Sequence, residues 1–263
     1  MSRIAAAFER SRSEGRLAVI AYLTVGYPRI DLTPELVRVA AESGADLIEL
    51  GIPFSDPLAD GRTIQAASQA ALRGGVTVAG ALQAAAAARA LSDVPILFMT
   101  YVNPVFAYGV EAFCRAARQS GIDGLIVPDL PPAEATELRR HALESELGLV
   151  FFVAPTSSSD GMRAACTAST AFVYCVAVTG VTGARESLDP AVLPLIRRLR
   201  SQTSLPIVVG FGISRKEHLD ALEGEADGAI IASALLDEIS KSPEAAAEAV
   251  TRFLGPLRRR ARR

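Results

Sequence analysis

Short apolar runs rich in β-branched residues recur along the whole chain, and stretches with helical spacing separate them. The runs are apolar at nearly every position rather than at alternate positions, which is typical of parallel strands that are covered on both faces. Eight runs fit this description: LAVIAYLT (17–24), ADLIEL (45–50), PILFMTY (95–101), DGLIVPD (123–129), LVFFVAP (149–155), AFVYCVA (171–177), PIVVGFG (206–212) and DGAIIAS (227–233). The pattern therefore predicts one parallel sheet with helices packed outside it.

Helical patterns fill the intervals between these runs. Apolar periodicity predicts helices at 33–41, 78–91, 111–120, 133–146, 160–168, 189–200, 214–223 and 243–254. Eight strands alternating with eight helices favour a closed (β/α)8 TIM barrel over an open doubly wound sheet. The length of 263 residues also agrees with the about 250 residues that such a barrel needs.

The two ends of the chain differ from this rhythm. MSRIAAAFERSRSEGR, which precedes the first run, is charged and helix-like, so it predicts an extra N-terminal helix rather than a signal peptide. LRRRARR at 257–263 is a basic C-terminal tail, which we expect to be solvated. No linker or low-complexity segment lies between, so we expect a single barrel domain over 1–263.

Composition excludes several classes of partner. The formal net charge is −2, which argues against a nucleic-acid-binding surface. The longest apolar run near the start, 17–25, is too short to span a membrane. Three cysteines without CxxC spacing (Cys114, Cys166 and Cys175) argue against a disulfide framework or a zinc site, and predict a reducing, cytoplasmic compartment.

Lysine and histidine chemistry is scarce in this sequence. Its two lysines, Lys216 and Lys241, fall in or beside helical patterns and not at strand ends, which argues against a Schiff-base mechanism. Its two histidines, His141 and His218, fall inside helical patterns, so we interpret both as surface or helix-packing residues. A histidine-based metal site is therefore disfavoured, and no serine or cysteine nucleophile arrangement is evident.

Carboxylates are instead concentrated around the second run, in ELGIPFSDPLADG (49–61). Active sites of TIM barrels lie at the C-terminal ends of the strands, which is where Glu49, Asp56 and Asp60 fall. Burial beside apolar residues raises the pKa of a carboxyl group and suits it to acid–base catalysis. An oxygen-only magnesium site formed by these three residues stays open as an alternative. Asp46 begins the same strand at the opposite end, where we predict a structural role.

Glycine-containing segments follow the last three strands: TGVTGA (179–184), GFGIS (210–214) and ASA (232–234). Glycine lets a ligand approach the backbone closely, and free N–H groups at helix N-termini bind anions. Barrels commonly bind phosphate in the loops after strands seven and eight. The three segments together predict a phosphate site, with Gly212 and Ser233 well placed for it.

Several of these motifs resemble one known family. LIELGIPFSDPLADG, YVNP (101–104), VPDLP (127–131), TGVTGA and GFGIS are similar, in order and spacing, to motifs of the tryptophan synthase alpha chain family. The resemblance implies retro-aldol cleavage of indole-3-glycerol phosphate to indole and glyceraldehyde 3-phosphate. It also implies that Glu49 is the main acid–base residue and that Asp60 interacts with the indole N–H.

The same resemblance implies the remaining site residues and the partner. The implied substrate-binding residues are Tyr22, Met99, Tyr101, Tyr174, Thr182 and Phe211, and the implied phosphate-binding residues are Gly183, Gly212, Ala232 and Ser233. It implies no cofactor in this chain, and an α2β2 complex with a beta chain that carries pyridoxal phosphate. The loops 53–61 and 179–190 and the turn VPDLPPAE are candidates for the partner face.

This reaction suits the residues present. Protonation of indole C3 makes the ring an electron sink, so neither a metal nor a Schiff base is needed to break the carbon–carbon bond, and two positioned carboxyl groups suffice. Two departures from the family stand out: Arg62 where proline is usual, and Ala232 where glycine is usual. We expect phosphate affinity to survive the Ala232 methyl.

Three other functions remain open at this point. The first is a free-standing indole-3-glycerol phosphate lyase that needs no beta chain. The second is a phosphosugar isomerase on a related barrel, which would have no indole requirement. The third is a non-catalytic scaffold, against which the pair of Glu49 and Asp60 argues.

Overall fold

Eight parallel strands close into a barrel in chain order, with β1 paired to both β2 and β8. The computed structural model describes residues 2–176, 190–210 and 212–257. The strands are β1 (Ala18–Thr24), β2 (Leu47–Gly51), β3 (Ile96–Met99), β4 (Gly124–Ile126), β5 (Gly148–Val153), β6 (Phe172–Val176), β7 (Ile207–Gly210) and β8 (Gly228–Ile231). Each of the eight apolar runs contains one strand to within one residue, which confirms the TIM-barrel prediction.

Twelve α-helices occur within the described ranges. They are α1 (Arg3–Ser13), α2 (Thr33–Glu42), α3 (Arg62–Arg73), α4 (Val78–Leu91), α5 (Val102–Tyr108), α6 (Val110–Gln119), α7 (Thr136–Glu144), α8 (Ser159–Ala168), α9 (Val192–Arg200), α10 (Lys216–Leu222), α11 (Ser233–Lys241) and α12 (Ala246–Leu254). Every predicted helical stretch contains a helix, and α1 is the expected N-terminal helix. The pattern missed α3 and α5, which follow directly on mouth loops, and for α11 it predicted only a helix start at Ser233.

Strand burial explains why the apolar runs show no alternation. All seven residues of β1 and all five residues of β2 are buried, because one face packs into the barrel interior and the other beneath the helices. A charged residue on such a strand must have either a partner or a function. Glu49 is the charged residue within β2.

The N-terminal end of the barrel, here called the base, carries a repeated polar contact. Three buried or largely buried aspartates immediately precede β2, β4 and β8 and accept a backbone N–H from the start of the preceding strand. These bonds join Val19 N to Asp46 (3.0 Å), Ile96 N to Asp123 (3.0 Å) and Ile207 N to Asp227 (2.8 Å). Thr170 before β6 does the same with its hydroxyl, which accepts from Leu149 N at 2.8 Å. This contact between a side chain and a strand amide thus recurs at every second strand, before β2, β4, β6 and β8.

Helix α1 lies against this base and neutralises it. Its three arginines each pair with a different base aspartate: Arg3 with Asp123 (3.2 Å), Arg10 with Asp46 (3.4 Å) and Arg12 with Asp227 (3.5 Å). Arg16 adds two shorter contacts to Asp46, at 2.6 and 2.7 Å. Asp46 is therefore structural, as the sequence predicted.

The apolar face of α1 closes the barrel from below. Phe8 is buried and its ring meets that of Phe172 edge-on, with centroids 5.8 Å apart. Glycine at the start of β8 makes this approach possible, because a Cβ at Gly228 would lie 3.2 Å from the Phe8 ring. The centre of the base is consequently filled and its aspartates are paired, and the cavity that Glu49 lines lies at the other end of the barrel.

Candidate active site

A cavity of about 250 Å³ opens at the C-terminal ends of the strands. Strand residues form one half of its wall: Tyr22, Glu49, Met99, Tyr174 and Ile230. The loop after β7 and the connection from β8 into the start of α11 form the other half, with Gly212, Ile213, Ser214, Ala232, Ser233 and Ala234. The loop before α3, the start of α3 and a later residue of α11 complete the rim, with Asp60, Arg62, Thr63, Ile64 and Asp237.

Glu49 is the central charged group of the strand half. It is 2% exposed, it stands beside Tyr22 in the register of β1 and β2, and its Oε2 atom has no hydrogen-bond partner within the described residues. Burial, with a smaller contribution from the negative charge of Asp60, raises the pKa of Glu49 to about 8. Glu49 therefore holds a proton at neutral pH and points it at the cavity.

Asp60 reaches the same cavity from the loop between β2 and α3. Burial raises its pKa to about 7, and a hydrogen bond from the Tyr101 hydroxyl partly opposes this rise. Tyr101 also accepts the backbone N–H of Ala59 at 3.0 Å, and Gln65 donates to the Asp60 carbonyl at 2.9 Å. These contacts fix the loop on both sides of the carboxyl group.

Two tyrosines line the strand half, and a glycine on the neighbouring strand makes room for each. A Cβ at Gly51 would lie 2.0 Å from the Tyr22 hydroxyl, and a Cβ at Gly210 would lie 2.3 Å from the Tyr174 ring. Burial raises the pKa of both phenols well above the ordinary value, so both stay neutral. The strand half is thus an aromatic slot with one protonated carboxyl group.

The loop half is suited to an anion. Gly212 adopts the left-handed conformation (φ +79°), and an added Cβ would meet nothing within 4 Å. Ser233 begins α11, whose first-turn N–H groups lack helical acceptors. The Oγ atom of Ser214 is buried without a partner in the described structure, and the Ser214 N–H donates to His218 Nδ1 at 3.3 Å.

Most of the predicted site residues come together here. Those that line the cavity are Tyr22, Glu49, Asp60, Met99, Tyr174, Gly212, Ala232 and Ser233. Tyr101 is not among the cavity-lining residues that the structure describes, but it contacts the Asp60 loop. Thr182, Gly183 and Phe211 lie outside the described residues. Asp56 is exposed and accepts from Ser55 Oγ at 2.6 Å, which is a local loop contact.

Several polar residues of this region are not among the predicted site residues. Arg62, Thr63 and Asp237 line the cavity, and the buried His218 holds the loop after β7 through its ring nitrogen. Arg62 and Thr63 follow the ADG motif directly, which was the available signal for them. The contacts of Asp237 and His218 depend on how α11 and α10 pack, so the local pattern carried no signal.

The described ranges contain no cluster of three or more His, Cys, Asp or Glu side chains that could hold a metal ion. Glu49 and Asp60 share the cavity, whereas Asp56 lies away from it, so the magnesium alternative is not favoured. In the same ranges no helix is both long and apolar enough to cross a membrane.

Comparisons of sequence and of structure with known proteins point to one family. The sequence model of the family Tryptophan synthase alpha chain matches residues 8–260. The chain is 48% identical over 244 residues to the tryptophan synthase alpha chain of Chloroflexus aurantiacus, covering 92% of each. It is 46% identical over 259 residues to that of Chloroflexus aggregans, covering 98% of this chain and 97% of the relative. The structure of Mycobacterium tuberculosis tryptophan synthase superposes with a TM-score of 0.91 at 37% identity, covering 98% of this chain and 97% of the other.

Proposed function

The chain belongs to the tryptophan synthase alpha chain family, and from that premise we propose that it is a carbon–carbon lyase that cleaves indole-3-glycerol phosphate. The products are indole and glyceraldehyde 3-phosphate. One observation supports the assignment of roles: two buried carboxyl groups with different raised pKa values face one cavity, whose other end is lined by Gly212 and the N-terminus of α11. Glu49 and Asp60 are the catalytic residues of this proposal.

The first step is proton transfer to the ring. Glu49 is protonated at neutral pH and gives its proton to indole C3, which turns the ring into a cationic indolenine. Asp60 is ionised above about pH 7 and accepts the indole N–H, so its charge stabilises the cation that forms. Proton transfer by a positioned group accelerates a reaction by roughly 10²–10⁴-fold.

The second step breaks the carbon–carbon bond. Glu49, now a carboxylate, removes the proton from the hydroxyl on the carbon attached to C3. That carbon becomes the aldehyde of glyceraldehyde 3-phosphate, and the bonding electrons return to the ring as indole leaves. Glu49 ends the cycle protonated, so one carboxyl group serves as both acid and base.

The cavity walls orient the substrate for these steps. The indole lies in the slot formed by Tyr22, Met99 and Tyr174, whose neutral phenols do not compete for the protons. The phosphate lies on the backbone donors of Gly212, Ala232 and Ser233. Thr182, Gly183 and Phe211 complete the two ends in this proposal, on the strength of the family resemblance.

A direct assay tests the assignment. Purified chain, mixed with indole-3-glycerol phosphate and a family beta chain, should release indole, and Glu49→Gln should abolish the release while binding of glycerol 3-phosphate persists. Glutamine keeps the shape of the side chain but cannot shuttle a proton. Full activity of Glu49→Gln would contradict the mechanism, and conversion of a ketose phosphate without indole would contradict the substrate.

The partner in this proposal is a beta chain carrying pyridoxal phosphate, in an α2β2 complex that receives the indole. Apolar side chains are exposed near the cavity mouth: Leu58, on the Asp60 loop, is 90% exposed, and Phe106 on α5 is 53% exposed. We place the partner face there, with the VPDLPPAE turn and loop 179–190. We also place the protein in the cytoplasm, where its three free, buried thiols stay reduced. Strong activation by the beta chain is the expected result, whereas full activity without it would indicate a free-standing lyase.

A further inference from the structure

The charges around the cavity are unbalanced. Three carboxyl groups line it, those of Glu49, Asp60 and Asp237, and Arg62 is the single cation among its described lining residues. A phosphate monoester carries about −1.5 to −2 charges at pH 7. Without Arg62, only neutral donors among these described residues, such as the backbone N–H groups and the hydroxyls of Ser214 and Ser233, would hold this anion close to acidic side chains.

Arg62 is placed at the phosphate half of the cavity by its neighbour. Thr63 Oγ1 donates to Asp237 Oδ1 at 3.0 Å, and this bond joins the first turn of α3 to α11. Asp237 lies about one helical turn after Ser233, the first residue of α11, and both residues line the cavity. The start of α3 is thereby held against the helix whose N-terminus faces the anion position.

The guanidinium group of Arg62 is available to a ligand. Arg62 is exposed, and it makes no hydrogen bond or ion pair with any residue that the structure describes. The arginines of the base show the contrast, because Arg3, Arg10 and Arg12 all pair with aspartates. Arg62 also borders an outer groove beside Phe54, so its long side chain stands at the rim between the groove and the cavity.

We propose that Arg62 is a substrate-binding residue that contacts the phosphate group of indole-3-glycerol phosphate from the α3 side, opposite the backbone donors of the loop half. Its planar guanidinium offers two parallel donors to phosphate oxygens, which a backbone site lacks. It also offsets the negative potential of Asp237. Arg62 thus favours phosphorylated over neutral ligands, an inference that rests on the function proposed above.

The test compares Arg62→Gln with the wild-type chain, each in complex with the beta chain. We expect KM for indole-3-glycerol phosphate to rise about tenfold, equivalent to about 1.4 kcal/mol, with kcat within twofold. Binding of glycerol 3-phosphate to the full-length chain, measured by calorimetry, should weaken by a similar factor. Binding of indole, which carries no charge, should stay unchanged. Arg62→Lys should retain part of the affinity.

Arg73→Gln is the matched control. Arg73 ends the same helix and does not line the cavity, so this substitution removes one positive charge away from the site. It should leave both affinities unchanged. Unchanged glycerol 3-phosphate affinity in Arg62→Gln would overturn the proposal, and equal weakening of indole and glycerol 3-phosphate would show a loop effect instead. If the wild-type complex fails to cleave indole-3-glycerol phosphate, the proposed function fails, whereas calorimetry still decides the role of Arg62.

Discussion

Glu49 and Asp60 are both buried carboxyl groups on one cavity, yet their surroundings set them apart. Asp60 receives a hydrogen bond from Tyr101, which favours its ionised form, whereas Glu49 has an unpartnered oxygen and faces the charge of Asp60. Asp60 therefore ionises first, near pH 7, and Glu49 keeps its proton to about pH 8. The state that the proposed mechanism requires, with Glu49 protonated and Asp60 ionised, is the one that the cavity favours between these values.

This order of titration predicts a bell-shaped pH dependence of kcat/KM. The acid limb reports ionisation of Asp60, near pH 7, and the alkaline limb reports loss of the Glu49 proton, near pH 8. In Asp60→Asn, the pKa of Glu49, measured by carbon NMR of the carboxyl group, should fall but stay above 4.5, because burial is the larger cause of its shift. Asp56→Asn, on the same loop but outside the cavity, should leave it unchanged. An unchanged Glu49 pKa in Asp60→Asn would contradict the electrostatic coupling between the two carboxyl groups.

The same raised pKa makes Glu49 costly for folding at high pH. The native state holds this proton between pH 4.5 and about 8, where the unfolded chain has lost it, so stability falls as pH rises across that window. Glu49→Gln removes the contribution of Glu49 to the slope. We expect the variant to match the wild type within about 1 kcal/mol at pH 5 and to be more stable by about 4 kcal/mol at pH 8.5, as measured by urea unfolding. Glu134→Gln, a substitution on the surface, should leave the unfolding free energy unchanged at both pH values. Equal pH slopes of the unfolding free energy in Glu49→Gln and the wild type would refute the argument.

At the scale of the elements, the sequence predicted the strands well because each is buried on both faces and reads as an unbroken apolar run. It missed α3 and α5 because these helices begin inside segments that the pattern assigns to mouth loops, and of α11 it predicted only the start at Ser233. Glu49 and Asp60 stand out in the sequence because carboxylates are conspicuous among apolar residues, and the family resemblance implies their roles. The bond from Ser214 to His218, and the one from Thr63 to Asp237, join separate segments, so only the packed structure reveals them.

The base contacts are the element feature with the clearest energetic consequence. Asp123 accepts from Ile96 N at 3.0 Å, Arg89 at 2.7 Å and Arg3 at 3.2 Å. Asp123→Asn leaves the largely buried Arg89 without its counter-charge, which should lower the free energy of unfolding by about 3 kcal/mol. Arg3→Gln, which removes a half-exposed partner, should cost about 1 kcal/mol or less. Urea midpoints measure both, and a smaller loss in Asp123→Asn than in Arg3→Gln would refute the assignment.

At the scale of the whole molecule, stability and chemistry lie at opposite ends of the barrel. The base is filled by α1 and its charges are paired, whereas the cavity keeps a carboxyl oxygen and a serine hydroxyl without partners among the described residues. Changes at the base should therefore alter stability without altering the reaction.

Phe8→Ala tests this separation. The ring is 2% exposed and packs on Phe172, so its removal should cost about 3–5 kcal/mol of unfolding free energy. At a temperature where the variant is still folded, KM for indole-3-glycerol phosphate should equal that of the wild type. Phe106→Ala, on a half-exposed ring, should leave the unfolding free energy of the isolated chain within about 0.5 kcal/mol. A raised KM in Phe8→Ala would show that the two ends are coupled.

The aspartate and threonine contacts that recur at every second strand of the base restrict where the chain can gain or lose residues. Each base turn brings one aspartate or threonine side chain to a particular amide of the strand before it, so a single inserted or deleted residue there would turn that side chain to the other face of the sheet. Loops at the cavity mouth that carry no site residue lack this constraint. Insertions and deletions among natural relatives should accordingly cluster on the mouth side, and the turns that lead into β2, β4 and β8 should keep a constant length.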